Sequence, residues 1–324
     1  MTPHPHRRGR PGHWTAAGVP DQSGRTAVIT GGGSGIGLET ARVLAARGAQ
    51  VVLACRDTAK AARAAAVIAA AHPDSAPAAV VRLDLSSLAA VQTAAAELGA
   101  RFPRLDLLIN NAGVMEVPYQ QTADGFELTF AANHLGHFAL TGLLLDSLLA
   151  VEDSRIVTLS SQGHVDGVLN FADLQSVRSY DPAGAYHQSK LANLLFSYEL
   201  DRRLAAAGAR TAALAAHPGV VYTELFRNRS PVQQLLISPR ARVLNFWAVQ
   251  NVQLGALPVL RAATDPAARG GEFYGPHRRH DTGYPVRVRS SDRSHDVADQ
   301  ARLWQVSAEL TGVSYRITPP LAIA

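Results

Sequence analysis

From Arg25 onward, short apolar runs alternate with longer alanine-rich ones. The short runs, Thr26–Thr30, Gln50–Ala54, Ala78–Leu83, Leu105–Asn110, Arg155–Ser160 and Thr211–Ala216, are β-branched or leucine-rich and nearly continuous in hydrophobicity. A strand with one wet face alternates apolar and polar residues, whereas a continuous run suits a strand covered on both faces. The intervening runs have helical length, among them Leu38 to Arg47, Phe126 to Leu149 and Leu191 to Leu204. Strand and helix in alternation predict an α/β fold: a doubly wound parallel sheet with helices on both faces. No internal repeat and no linker rich in Pro, Gly or Ser interrupts the pattern between Arg25 and Ala268. The expected organisation is a disordered basic tail over residues 1–22, one main domain over 23–275, and an appendage over 276–324. The appendage reads as basic and irregular to about Asp292, then as a final helix from Val297 to Leu310.

The chemistry-bearing residues fall at the ends of the predicted strands. The first strand runs into Thr30-Gly31-Gly32-Gly33-Ser34-Gly35-Ile36-Gly37 and then a helix. Glycines between strand and helix let the backbone approach a pyrophosphate, held by free amides and the positive end of the helix dipole. The second strand ends in Cys55-Arg56-Asp57. An acidic side chain there would bind a ribose 2′-hydroxyl and repel a 2′-phosphate. A neutral cysteine followed by Arg56 points instead to NADP(H), with Arg56 as the phosphate clamp and Asp57 engaged as the N-cap of a helix starting at Thr58. Asp84-Leu85, after the third strand, lies by position near the adenine edge, with capping of the next helix through Ser86 and Ser87 as the other reading. Asn110-Asn111-Ala112-Gly113 closes the fourth strand with small and amide-bearing residues where ligands bind in such sheets.

Tyr186 and Lys190 stand four residues apart, just over one helical turn, so both leave a helix on one face. Lys60 and Lys190 are the only lysines among 31 basic residues, so this chain has kept a compact ammonium beside a phenol while writing arginine almost everywhere else. The 324 residues, 47% hydrophobic and 18% charged, can bury a full core. The single cysteine leaves no internal disulfide and fits a reducing, cytoplasmic setting. None of the 12 histidines falls in a metal-binding pattern; His134, His137, His164 and His187 read as packed or pocket-lining residues. The net charge of +5 comes from scattered arginines rather than a stripe, which argues against nucleic acid as a partner. No transmembrane segment is expected, since the most apolar stretch, Leu135 to Val151, carries His137 and Asp146. The arginine- and alanine-heavy composition suggests a bacterial gene of high GC content.

Thr-Gly-x-x-x-Gly-x-Gly, Asn-Asn-Ala-Gly and Tyr-x-x-x-Lys in this order resemble the single-domain branch of the short-chain dehydrogenase/reductase family over about Arg25 to Gly275, which implies a Rossmann-like fold. Finer features resemble its retinol-dehydrogenase-like subgroup: Leu53-Ala54-Cys55-Arg56-Asp57, Asn133-His134-Leu135-Gly136-His137-Phe138, Ser160-Ser161 with His164 behind, and His217-Pro218-Gly219-Val220-Val221. The resemblance implies hydride transfer between nicotinamide and a carbonyl or alcohol. It implies Tyr186 as the acid or base, Lys190 as the group that lowers its pKa and holds the nicotinamide ribose, Ser161 rather than Ser160 on the substrate oxygen, and Asn133 on a water chain to the lysine. Pro218, Gly219 and Val221 would run along the nicotinamide and Thr223 would bind its carboxamide, although Thr223 equally suits a helix start. The mixed apolar and arginine-bearing stretch from Tyr222 to Trp247 is expected to cover a lipophilic small-molecule substrate, a membrane-surface patch being the rival. A redox-neutral dehydratase, epimerase or cyclase, or a cofactor sensor, would use the same scaffold, and a homo-oligomer is left open.

Overall fold

The computed structural model describes residues 13–221, 250–278 and 281–317. Among them eight strands form one sheet in the order β3-β2-β1-β4-β5-β6-β7-β8. The strands are β1 (Thr26–Thr30), β2 (Gln50–Cys55), β3 (Ala79–Arg82), β4 (Leu107–Asn110), β5 (Arg155–Leu159), β6 (Ala212–Ala216), β7 (Phe273–Arg278) and β8 (Thr282–Arg287). All neighbours are parallel except β7 and β8, which form an antiparallel hairpin. After β3 the chain returns to the far side of β1 to make β4, so the strand order reverses between β1 and β4. In such sheets the crevice for a ligand opens at the carboxyl ends beside that reversal.

The nearly continuous apolar strands are explained by two core layers. On β1, Ala27 and Ile29 face one layer and Val28 the other; on β4, Leu107 and Ile109 face the first and Leu108 the second. Helices α1 (Gly35–Ala45), α2 (Thr58–Ala71) and α8 (Val252–Thr264) cover the first face. The second is covered by α3 (Leu88–Arg101), α5 (Gly136–Leu143), α6 (Leu145–Leu149) and α7 (Pro182–Ala206). The expected long helix from Phe126 to Leu149 is broken. It consists of the single turn α4 (Leu128–Phe130), a π-helical turn Ala131–Leu135, then α5 and α6.

Helix α7 starts at Pro182, capped by Asp181, which accepts from the amide of Gly184. Tyr186 therefore sits one turn inside the helix rather than before it. From Ala185 to Leu200 every residue but His187 is buried, because α7 lies between the sheet and the terminal helix α9 (Val297–Thr311). Trp304 of α9 packs edge-on to Phe138, 5.2 Å between ring centroids, and stacks on Phe196 at 5.9 Å. The Arg203 guanidinium covers the indole at 4.5 Å.

Two expectations need correction. Residues 13–22 are not a loose tail: a 3₁₀ turn spans Ala16–Gly18, Val19 is buried in the core, and Arg47 donates to the carbonyls of Ala16 and Ala17. Nor is the stretch after Gly275 irregular, since β7 runs across Gly275–Pro276 and β8 completes the hairpin. Its prolines and arginines disguised it. Pro276 and Pro285 face each other, and Pro285 is tolerated because β8 is an edge strand, where the amide of every second residue points away from the sheet. Replacing the buried Trp304 by alanine is expected to cost about 3 kcal/mol. The check is the urea midpoint and slope; a loss under about 1 kcal/mol would show that α9 merely rests on the domain.

Candidate active site

The glycine-rich turn leaves β1 beside the end of β4. Gly31 and Gly35 have positive φ, +68° and +54°, which side-chain-bearing residues rarely adopt. A Cβ on Gly37 would lie 2.5 Å from the Gly31 carbonyl oxygen and 2.6 Å from Asn111 Nδ2, so only glycine lets α1 begin this close to β4. Asn111 itself ties the two strand ends together: its Nδ2 donates to the Thr30 carbonyl, and its amide and that of Ala112 donate to Thr30 Oγ1. The N-terminus of α1 is open. Every other α-helix entered from an extended residue among those described is capped by a side chain: Asp57, Ser87, Glu127, Asp181, Asn251 and Asp296. Ser34, before Gly35 and Ile36, makes no such bond, so the first amides of α1 face the crevice without an internal acceptor. These residues fit a pyrophosphate-bearing cofactor.

At the end of β2, burial raises the Cys55 thiol pKa, an effect opposed by the amides of Gly33 and Gly32, which donate to it. The neutral thiol is thus tucked under the turn. Arg56 is exposed next to it, and Asp57 caps α2 by accepting the Lys60 amide at 2.8 Å. Asp84 Oδ1 accepts from both the amide and the hydroxyl of Ser86, and Ser87 caps α3. Leu85 has its side chain in the core, and its carbonyl oxygen lies 2.3 Å from where a Cβ on Gly136 would be, so the π turn and α5 press against this strand end.

Asn133 is in the π-helical turn and fully buried. Its Oδ1 accepts the Val114 amide at 2.8 Å; its Nδ2 donates to the Val114 carbonyl and to Ser189 Oγ, each at 2.9 Å. Gly113 brings this pair beside the lysine: a Cβ there would be 3.0 Å from Asn133 Oδ1 and 3.6 Å from Lys190 Nζ. Lys190 is buried, donates to the Leu159 carbonyl at 3.2 Å, and places its ammonium 5.7 Å from the centre of the Tyr186 ring. Burial lowers its pKa from 10.5 to about 8. The ammonium still predominates at neutral pH.

Ser161 follows β5 and caps the 3₁₀ turn Gln162–Val165, its Oγ accepting the Gly163 amide at 3.3 Å. Two glycines allow that turn to lie on α7. A Cβ on Gly163 would be 2.6 Å from His187 Cδ2 and 3.5 Å from Tyr186 Cε1, and one on Gly167 would be 2.6 Å from the His187 carbonyl oxygen. The turn that Ser161 opens is thereby set against Tyr186 and His187; Ser161 keeps partial exposure, whereas Ser160 is buried and donates to the Lys190 carbonyl. The structure thus brings Gly31–Gly37, Ala112–Gly113, Asn133, Ser161, Tyr186 and Lys190 around one crevice.

Gly219 has a φ of +67°, and a Cβ there would meet the Asp281 carbonyl oxygen at 2.2 Å, so the turn after β6 leans on the β7–β8 hairpin. Pro218 accepts from Gln250 Nε2 through its carbonyl, and Val221 is buried against Gly255. Thr223 and the stretch expected to cover the substrate lie outside the described residues. Among the residues given no site role in the sequence, Thr30, Ser189 and His137 join the site's parts. Their signal was composition alone, polar groups inside apolar runs. His137 Nδ1 donates to the Asn133 carbonyl at 3.0 Å while Nε2 meets Thr30 Oγ1 at 2.9 Å, and burial lowers its pKa to about 4. His134 pairs with Ser307 of α9 and is likewise lowered by burial, to about 3.

Residues 25–234 match the short chain dehydrogenase family. The chain is 42% identical over 294 residues to Retinol dehydrogenase 12 of Mus musculus, a match spanning 90% of this chain and 88% of that protein. It is 40% identical over 296 residues to Retinol dehydrogenase 13 of Homo sapiens, spanning 90% and 85%. A solved structure of an uncharacterised protein from Mycobacterium paratuberculosis, 42% identical, superposes with a TM-score of 0.77 over 95% of this chain and 100% of that one. The Pseudomonas aeruginosa RhlG/NADP active-site complex, 25% identical, gives 0.61 over 78% and 94%. The chain belongs to the short-chain dehydrogenase family. Within it the chain is of the retinol-dehydrogenase-like subgroup, an oxidoreductase that acts on CH–OH or C=O groups with a nicotinamide cofactor.

The depressed pKa of Lys190 has a consequence for stability. The folded protein releases this proton at lower pH than the unfolded chain, so the penalty for burying the charge is complete below pH 8 and fades as pH rises from 8 toward 10.5. Its full size is on the order of 3 kcal/mol, reduced by the bond to Leu159. Lys190→Met is therefore expected to be inactive yet to melt at a higher temperature than wild type at pH 7, with the gain shrinking by pH 10. Melting curves at both pH values check this, and a less stable variant at pH 7 would contradict it.

Proposed function

We propose that the protein is a cytoplasmic, NADP(H)-dependent oxidoreductase that interconverts a lipophilic carbonyl compound and its alcohol. The observation that carries this reading is the buried Lys190 ammonium one helical turn from Tyr186, beside Gly113 and Asn133, at the crevice onto which the uncapped α1 opens. A bound nicotinamide ring supplies or takes up a hydride at its C4. Tyr186 Oη gives a proton to the substrate oxygen in reduction and removes one in oxidation. A free phenol with a pKa of ~10 is a poor acid at neutral pH, and an adjacent ammonium favours the phenolate and makes the transfer easier. Ser161 Oγ accepts the Gly163 amide, which leaves its O–H free to donate to the same substrate oxygen. Asn133 holds the backbone at Val114 and, through Ser189, the helix that carries both Tyr186 and Lys190.

Arg56 supports NADP(H): it is exposed at the end of β2, beside a thiol rather than a carboxylate, and its acidic neighbour Asp57 is occupied as a cap. The RhlG complex contains NADP, consistent with this choice. For the substrate, Val165 and Val168 are 47% and 57% exposed on the segment following Ser161, apolar side chains left at the surface of that segment. The names of the retinol dehydrogenases point the same way. No helix among the described residues is long and apolar enough to cross a membrane.

Tyr186→Phe is expected to bind NADPH normally and to lose turnover of lipophilic aldehydes by about 10³-fold, followed at the reduced-nicotinamide absorbance. A near-normal rate would sink the mechanism. Arg56→Ala should raise the KM for NADPH by about 10- to 100-fold, the worth of a charge-assisted phosphate contact, and leave that for NADH almost unchanged. Equal effects on the two cofactors would remove Arg56 from the 2′-phosphate site.

A further inference from the structure

His164 lies three residues beyond Ser161, is 1% exposed, and has no part in the chemistry described above. Its ring has two partners with fixed roles. Nδ1 stands 2.6 Å from the Ser161 carbonyl oxygen and must carry the proton, since a carbonyl only accepts. Nε2 stands 3.1 Å from the amide nitrogen of Ser291 and must be bare, since an amide only donates. The tautomer is thereby set, and a second proton would confront the Ser291 N–H. The ring is also held edge-on against Phe273 of β7, with 5.6 Å between centroids and 89° between planes.

The far partner is anchored in turn. Ser290 Oγ bonds the Tyr198 hydroxyl at 2.8 Å and Ser294 Oγ at 2.7 Å, and Ser294 Oγ donates to the Ser291 carbonyl. Tyr198 is on α7, twelve residues after Tyr186. A chain of contacts therefore runs from Tyr186 along α7 to Tyr198, across Ser290 and Ser291 to His164, and on to Ser161. A second tie joins the same two segments, Arg293 Nη1 donating to the Gly167 carbonyl at 3.0 Å.

We propose that His164 is a positioning residue for Ser161, and that the segment Ser290–Ser294, beyond the last strand, is a clasp that sets the distance between Ser161 and Tyr186 through it. The proposal rests on the catalytic reading of Ser161 and Tyr186. Its chemistry is orientational: the imidazole neither gives up nor takes a proton in the reaction. A displacement of about 1 Å in a group that must contact the reacting oxygen is enough to cost about 100-fold in rate.

The test is a double-mutant cycle on the full chain, with NADPH and a long-chain aliphatic aldehyde as substrates. His164→Ala is expected to lower kcat about 10- to 100-fold while leaving the dissociation constant for NADPH, titrated by fluorescence, unchanged. In the Ser161→Ala background the same change should cost almost nothing further, because a residue acting only through Ser161 has nothing left to position. His164→Asn, whose Nδ2 can still reach the Ser161 carbonyl, should recover part of the loss. Ser291→Pro deletes the amide donor at the other end, where the φ of −62° already suits proline, and should show the same dependence on Ser161. It carries the test should His164→Ala fail to fold. A kcat within twofold of wild type for these variants, or a full additive loss in the Ser161→Ala background, would overturn the proposal alone. Normal turnover by Ser161→Ala and Tyr186→Phe would overturn the catalytic reading and the proposal with it.

Discussion

Holding the Lys190 ammonium out of water is the constraint on which this structure turns. A lysine with 6% of its surface exposed costs stability, and α7, buried for reasons of its own, is what holds the ammonium there. Its apolar residues point in every direction, so the helix needs cover on every side. The sheet covers one side, the π turn with α5 another, and α9 the outer face through Leu303 and Trp304. The C-terminal helix is therefore part of what keeps the ammonium desolvated, although it lies far from the crevice. The π-helical turn serves the same end by directing Asn133 at Val114 and Ser189, so that the backbone around Gly113 is held closed on the lysine.

Buried histidines act as neutral struts between segments distant in sequence. His137 links the Asn133 carbonyl to Thr30, whose hydroxyl oxygen also accepts the amides of Asn111 and Ala112, so one imidazole joins the end of β1, the end of β4 and the π turn. His164 links the Ser161 turn to the chain beyond β8, and His134 links the π turn to α9. An imidazole suits this work because it offers one donor and one acceptor on opposite sides of a rigid ring. With its pKa depressed by burial, as at His134 and His137, it brings no charge into the core.

Much of the molecule was legible from the chain. The first six strands follow from continuous apolar runs, since covering both faces of a sheet leaves few positions for a polar residue. The glycine-rich turn, the Asp57 cap and the face shared by Tyr186 and Lys190 follow from local geometry, which depends only on residues within a turn or two of one another.

The tertiary structure alone decided what depends on contact between distant segments. The edge hairpin of β7 and β8 has no hydrophobic signature, because an edge strand needs only one buried face and tolerates Pro285 on its open side. The π turn is invisible in a sequence whose apolar period reads as one long helix; it forms where Gly136 must pass the Leu85 carbonyl and Asn133 must meet Val114. The different surroundings of the Ser160–Ser161 pair come from packing, with Ser160 bonded to the backbone of α7 and Ser161 capping the turn that follows. Residue order specifies what each short segment can become; which hydroxyl or imidazole meets which amide is specified only when segments more than a hundred residues apart are brought within 3 Å.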